Sequence, residues 1–169
     1  MKKDNVLIVW SSTFSCGIRM IDEQHKKLIE IVNDLFSHVN GNEEQECEYF
    51  NKVIHGYIDY IKIHFATEER LMCFIKFESY ISHKREHDNF LKTIADSVRT
   101  FNTWDRVSLS TLARFLRSWI LSHIVIMDKG YFEYLNKMAS RKTTERMCIS
   151  TAEIRHKHEP DLMENAESA

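Results

Sequence analysis

Two short stretches carry the residues most able to do chemistry, His64-Phe-Ala-Thr-Glu68-Glu69 and His83-Lys-Arg-Glu-His87. Each sets two potential metal ligands four residues apart. On a helix such a pair lies about 40° apart around the axis and ~6 Å apart along it, so both side chains can converge on one ion. A His-Glu pair facing a His-His pair across a helix interface makes half of a buried metal site. Two more segments offer ligands of the same kind, Asp22-Glu-Gln-His25 upstream and His123-Ile-Val-Ile-Met-Asp128 downstream.

The nine histidines sort by position. His25, His64, His83, His87 and His123 occupy inward slots of four apolar stripes, whereas His38, His55, His156 and His158 join no regular pattern. One inward histidine alone reads as a core residue satisfied by a hydrogen bond, and a buried His-Glu pair reads equally as a polar contact inside a bundle. Five histidines with Glu68 and Asp128 at matching depths are different, because burying that much polar surface without compensation costs several kcal/mol per group. A metal cluster is the economical reading. Seven ligands exceed the four of a tetrahedral zinc site and suit two octahedral ions sharing bridging carboxylates. The set is nitrogen and oxygen only, which fits iron or manganese and leaves zinc and copper open. Being richer in histidine than the carboxylate shells of oxygen-activating di-iron bundles, it favours reversible reaction with dioxygen over irreversible oxidation. One spacing resists ideal geometry. His123 and Asp128 are five apart, about 140° around a regular helix, so both reach one centre only if the helix bulges in the π sense or unwinds between them.

The elements that must position these residues follow from apolar steps of three and four. One helix runs from about Ile21 to Val39 with Ile21, His25, Leu28, Ile31/Val32 and Leu35 on its stripe, and Gly41-Asn42 closes it as a C-terminal cap. A second runs from Glu43 to Cys73, and a third from Tyr80 to Phe101 after a break at 76–79. A turn at Asn102–Arg106 precedes a fourth, capped by Ser108 or Ser110, whose stripe passes through Trp119, His123 and Met127 to Tyr131 and Leu135. The fold class is therefore all-α, an up-down-up-down four-helix bundle with an extended N-terminal arm (1–17) laid across its apolar outside. Residues 1–140 form this domain, and 141–169 form a polar, mobile tail.

Composition agrees. The chain has 169 residues, four Gly and one Pro, too few turn formers for a strand-rich fold. A formal net charge of −2 gives no electrostatic case for nucleic acid or an anionic membrane. Cys16, Cys47, Cys73 and Cys148 show neither zinc-finger nor disulfide spacing, and no run reaches the ~20 apolar residues of a membrane span. The expectation is a soluble, cytoplasmic protein.

Taken together the motifs resemble the hemerythrin family, its bacterial single-domain members above all. Those that carry the resemblance are Trp10, Gly17-Ile-Arg-Met-Ile-Asp-Glu-Gln-His25, His64-Phe-x-x-Glu68-Glu69-x-x-Met72, His83-x-x-x-His87-Asp88-x-Phe90 and Trp119-x-x-x-His123-Ile-x-x-x-Asp128-Lys129-x-Tyr131, in order over about residues 6–138. The resemblance implies two iron ions. His83, His87 and His123 would hold one, His25 and His64 the other, and Glu68 and Asp128 would bridge them beside an oxo or hydroxo group. The two-histidine iron would keep one position for dioxygen, walled by an apolar pocket of Leu28, Phe65, Trp119, Ile120 and Ile124. The implied function is dioxygen carriage, storage or sensing without turnover. The alternatives are a di-iron redox enzyme of peroxidase, nitric oxide reductase or ferroxidase type, or a sensor acting through a separate partner. An enzyme would want a proton donor near the open position, and none stands out, since Glu69 and Asp88 are expected to face away. The chain departs from the family in its turn Ile75-Lys-Phe-Glu-Ser79, in the acidic run Glu43 to Glu48, and in its tail.

Overall fold

The computed structural model describes residues 8–101 and 108–141. Four helices make an up-down-up-down bundle: α1 (Arg19–Ser37), α2 (Glu43–Phe74), α3 (Tyr80–Phe101) and α4 (Leu109–Ser122), the last running into a π-helical segment, His123–Asp128. The described residues contain no β-strand, and none of their helices is long and apolar enough to cross a membrane. The chain divides into two units, Met1–Phe132 and Glu133–Ala169. In the first, residues 129–132 return to α-helix, and in the second 133–141 are α-helical. The expected turn at Asn102–Arg106 and the tail from 142 lie outside the described residues.

The apolar stripes face inward as their spacing requires. Ile21, Leu28, Ile31, Val32 and Leu35 from α1, Phe50, Ile54, Ile61 and Phe65 from α2, Phe90 and Ile94 from α3, and Leu112, Leu116 and Ile120 from α4 are buried. α1 packs on α2 and α4, and α2 on α3 and α4. Aromatic stacking joins α3 to α4, with Phe90 on Trp119 at 3.9 Å between ring centroids.

The helix ends correct the sequence reading in two places. α1 stops at Ser37, two residues early, with His38 as its cap. Gly41 does adopt a left-handed φ of 84°, but Asn42 begins the next helix instead of ending this one. Its side chain accepts from Gln45 N at 3.1 Å, the preferred use of Asn at an N-cap. The acidic run then falls on the first turn of α2, where Glu43, Glu44 and Glu46 meet the positive end of the helix dipole. Glu46 turns back to accept from the backbone N–H groups of Asn40 and Gly41 at 2.9 and 2.7 Å. Ser108 caps α4, accepting from Thr111 N at 3.3 Å.

α2 ends in a Schellman motif with lysine at the left-handed position. Lys76 has φ 54°, Phe77 N donates to Met72 O at 2.9 Å, and Lys76 N to Cys73 O at 3.2 Å. Glycine normally stands there because a side chain in this conformation costs about 1–2 kcal/mol. Lys76→Gly should therefore raise the unfolding free energy by about 0.5–1 kcal/mol after the added flexibility of the unfolded chain is counted, measurable by urea unfolding.

The arm is not uniformly extended. Asn33 on α1 clasps its backbone at Ile8, accepting from the N–H and donating to the carbonyl, both at 2.8 Å. Ile8 is buried while Val9 points outward. The arm then winds into a 3-10 turn at Ser12–Phe14, pinned by Asp22, whose carboxylate accepts from Ser15 Oγ at 2.7 Å and Cys16 N at 2.8 Å.

Candidate metal centre

All seven side chains singled out as ligands, His25, His64, Glu68, His83, His87, His123 and Asp128, come together and are buried. Their helices supply them at the expected intervals: His64 and Glu68 one turn apart on α2, His83 and His87 one turn apart on α3, His25 on α1. The five-residue step from His123 to Asp128 is spanned by the π-helical segment, whose wider turn brings His123 Nε2 to 3.1 Å from Asp128 Oδ1. Of the other histidines, His38 and His55 are exposed, and His156 and His158 lie outside the described residues.

The atoms sort into two sets, each within a 4.8 Å span: Glu68, His83, His87 and His123 in one, His25, His64, Glu68 and Asp128 in the other. The two carboxylates divide their oxygens between them. Glu68 Oε1 lies 3.6 Å from His25 Nε2 and 3.5 Å from His64 Nε2, while Oε2 lies 3.7, 3.3 and 3.9 Å from the Nε2 atoms of His83, His87 and His123. Asp128 does likewise. Its Oδ2 is 3.3 Å from His25 and its Oδ1 is 3.4 Å from His83.

Second partners fix the ring tautomers. Thr67 Oγ1 donates to Ile63 O at 2.9 Å, so it accepts from Gln24 Nε2 at 3.2 Å. The amide is thereby turned to present Oε1 to His64 Nδ1–H at 3.2 Å. His25 Nδ1–H donates to the Phe14 carbonyl at 3.4 Å, which gives the arm's turn its purpose. His87 Nδ1–H donates to Glu69 Oε1 at 3.1 Å. With Nδ1 donating in each, Nε2 is the nitrogen turned toward the centre, free to offer a lone pair once any proton on it is displaced. Glu69 therefore does not face away, as the sequence suggested, and only Asp88 is exposed.

A cation fits this arrangement. His25 Nε2, His64 Nε2, Glu68 Oε2 and both Asp128 oxygens are buried without a hydrogen-bond partner among the described residues, a cost of about 1–3 kcal/mol for each such group, more when it is charged. His87 Nε2 lies 3.1 Å from His83 Nε2 and 3.0 Å from His123 Nε2. Such a cluster is repulsive unless a proton or a metal stands within it. Two metal–nitrogen bonds of about 2.1 Å at right angles would place their nitrogens about 3.0 Å apart.

Electrostatics agree. Burial alone would push the Glu68 carboxyl up, yet His64 and the other rings hold it well below the ordinary carboxylate value. Asp128 is lowered too, the rings of His123 and His25 outweighing burial and the Glu68 charge. Burial opposes charge on His25 and His123, but the carboxylates lift both to about 9. At His64 burial prevails and the ring falls to about 4. The protein groups alone thus keep two carboxylates ionised in the core.

Tyr131 has no role in the sequence reading beyond its place in a motif. Fully buried, it donates to Glu68 Oε1 at 2.6 Å, and burial together with the Glu68 charge raises its hydroxyl far above the phenolic range. Tyr131→Phe keeps the shape and removes this charge-assisted bond, so it should lower the unfolding free energy of the metal-free protein by about 2 kcal/mol in urea.

Beside the cluster lies an apolar pocket lined by Leu28, Ile61, His64, Phe65, Phe90, Trp119, Ile120, His123 and Ile124, with no room for the centre of a water molecule. It includes the five predicted residues and adds Ile61 and Phe90. Trp119 is the half-buried one, stacked on His123 at 4.2 Å between ring centroids.

Comparison with known proteins gives a consistent picture. The model of the hemerythrin HHE cation binding domain matches residues 16–135. A bacteriohemerythrin of Stenotrophomonas maltophilia is 34% identical over 137 residues, 79% of this chain and 87% of that protein. One of Methylococcus capsulatus is 30% identical, covering 74% of this chain and 94% of that protein. A crystal structure of wild-type hemerythrin aligns with a TM-score of 0.64 at 30% identity over 75% of this chain and 96% of the other.

Proposed function

The chain belongs to the hemerythrin family, and from that premise we propose that it binds dioxygen reversibly at a pair of iron ions, for carriage, storage or sensing. The observation that carries this reading is the division of the Glu68 and Asp128 oxygens between a two-histidine and a three-histidine set. His83, His87 and His123 with Glu68 and Asp128 would offer one ion five donors, and His25 and His64 with the same two carboxylates would offer the other four. The smaller set would be the one with room for a small ligand. Iron bound there would supply the reversible electron exchange that dioxygen binding needs.

The rest is the work of the chain's own residues. Phe14, Gln24 and Glu69 hold three rings in the tautomer that points a lone pair inward. Tyr131 holds the bridging carboxylate by the oxygen that faces the two-histidine set. The apolar pocket counts His64 and His123 in its lining, and apart from those rings and the Trp119 indole its lining side chains offer water no hydrogen-bond partner. The free thiols of Cys16, Cys47 and Cys73 fit a reducing compartment such as the cytoplasm.

The test is metal analysis with an optical spectrum. The purified chain should hold two irons, and a band formed in air should bleach under argon and return over repeated cycles. Stoichiometric zinc despite ample iron, or one irreversible oxidation, would overturn the reading.

A further inference from the structure

The acceptors behind the rings differ in charge. His25 Nδ1 faces a backbone carbonyl and His64 Nδ1 an amide oxygen, both neutral, whereas His87 Nδ1 faces the Glu69 carboxylate at 3.1 Å. The other oxygen of Glu69 lies 3.2 Å from Lys84 Nζ, which also reaches Asp88 Oδ1 at 3.1 Å. His87 is buried, Glu69 is 20% exposed and Lys84 39% exposed. Glu69 also lines an open surface groove of about 560 Å³ with Arg70 and Tyr80. A short chain of charged groups therefore runs from solvent to one ring of the three-histidine set.

We propose that Glu69 sets the electron-donating strength of His87 and that Lys84 tunes Glu69, so this surface ion pair regulates the redox potential of the centre. The inference rests on the iron reading above. A carboxylate that accepts from Nδ1–H draws the proton toward itself and leaves the ring more electron-rich, which raises its basicity as a ligand. A more basic ligand stabilises the oxidised ion and lowers the potential. Lys84 takes up part of the carboxylate's charge and works in the opposite direction. Glu69 acts through His87 and is a positioning residue. Orientation alone does not account for it, because Phe65 already holds the His87 ring by stacking at 3.7 Å and 3°.

The experiment uses the iron-loaded full chain, with midpoint potentials from an optically monitored redox titration and iron content and melting temperature taken alongside. Glu69→Gln keeps the volume and a neutral acceptor, and it should raise the potential by about tenfold in the equilibrium constant, which is about 59 mV for one electron. Lys84→Gln should lower it. In the Glu69→Gln background Lys84→Gln should have little further effect, since its route to the ring is gone. Asp88→Asn, which takes a carboxylate from the same lysine without touching a ring, should shift it far less than Glu69→Gln. An equal shift in Asp88→Asn, or strict additivity in the double variant, would show only the field of surface charges and overturn the proposal. Two irons with an unmoved potential in Glu69→Gln would overturn it while leaving the dioxygen reading intact. A wild-type chain that holds no iron would overturn both.

Discussion

On the proposed di-iron reading, Glu68→Ala should leave a folded chain unable to hold two ions. Among the described residues Glu68 is the one side chain whose oxygens approach all five histidines of the cluster, with distances of 3.3 to 3.9 Å to their Nε2 atoms. Its loss takes one donor from each set and one negative charge from the position where it would lie between two cations. It also strips Tyr131 of its acceptor. Metal that binds only the folded chain adds to stability, by about 4 kcal/mol when present at a thousand times its dissociation constant. The melting temperature of the iron-loaded variant should therefore fall to that of the metal-free protein. His38→Ala is the control, because His38 is exposed and stacks on Tyr49 away from the ligands. It should keep its iron. Two irons per chain in Glu68→Ala would remove the bridging role assigned to this residue.

The convergence of the seven side chains was legible because a helix turns sequence spacing directly into direction. His64 with Glu68, and His83 with His87, announce a shared face by their four-residue steps alone. The apolar stripes around them fix which face is inward. The need for a distortion between His123 and Asp128 was readable too, although the spacing left a π bulge and local unwinding both open; the structure has the π turn, a feature frequent at functional sites. The helix boundaries were less legible. Asn42 is a good cap in either direction, and only the bond it accepts from Gln45 assigns it to α2.

The supporting shell was hidden for a different physical reason. Gln24, Glu69 and Tyr131 reach the cluster from an adjacent helix or a later turn, and their partners depend on the rotation and register of packed helices. Sequence period does not encode either quantity. Gln24 beside His25 and Glu69 beside Glu68 sit one residue off the proposed ligands, about 100° around their own helix, a spacing that argues against the inward face but not against contact with a neighbouring helix. The Phe14 carbonyl is invisible in principle, because a backbone acceptor has no residue type. Its one clue was Asp22, which pins the turn that carries it.

If the chain binds dioxygen as proposed, widening the pocket should shorten the life of the oxygenated protein. Ile120 is 1% exposed and lines a space too narrow for water between Leu28, His64 and His123. Ile120→Ala removes three carbon atoms there and should cost about 2–5 kcal/mol of stability, as large-to-small core changes do. A purely apolar cavity stays dry, but a space that ends on polar groups able to hydrogen-bond can hold a water. Water beside the site supplies what an apolar wall withholds, a route for protons and anions to reach the ions, and the ferrous state should then be lost severalfold faster. Global loosening predicts the same acceleration for any equal loss of stability. Ile54→Ala separates the two accounts. Ile54 is as deeply buried, at 3% exposure, yet stands ten residues before His64 on α2, about 15 Å along the helix. It should lose similar stability in urea and leave the decay of the oxygenated band under air unchanged. Equal acceleration in both variants would show that the bundle's rigidity, and not the wall of the pocket, protects the site.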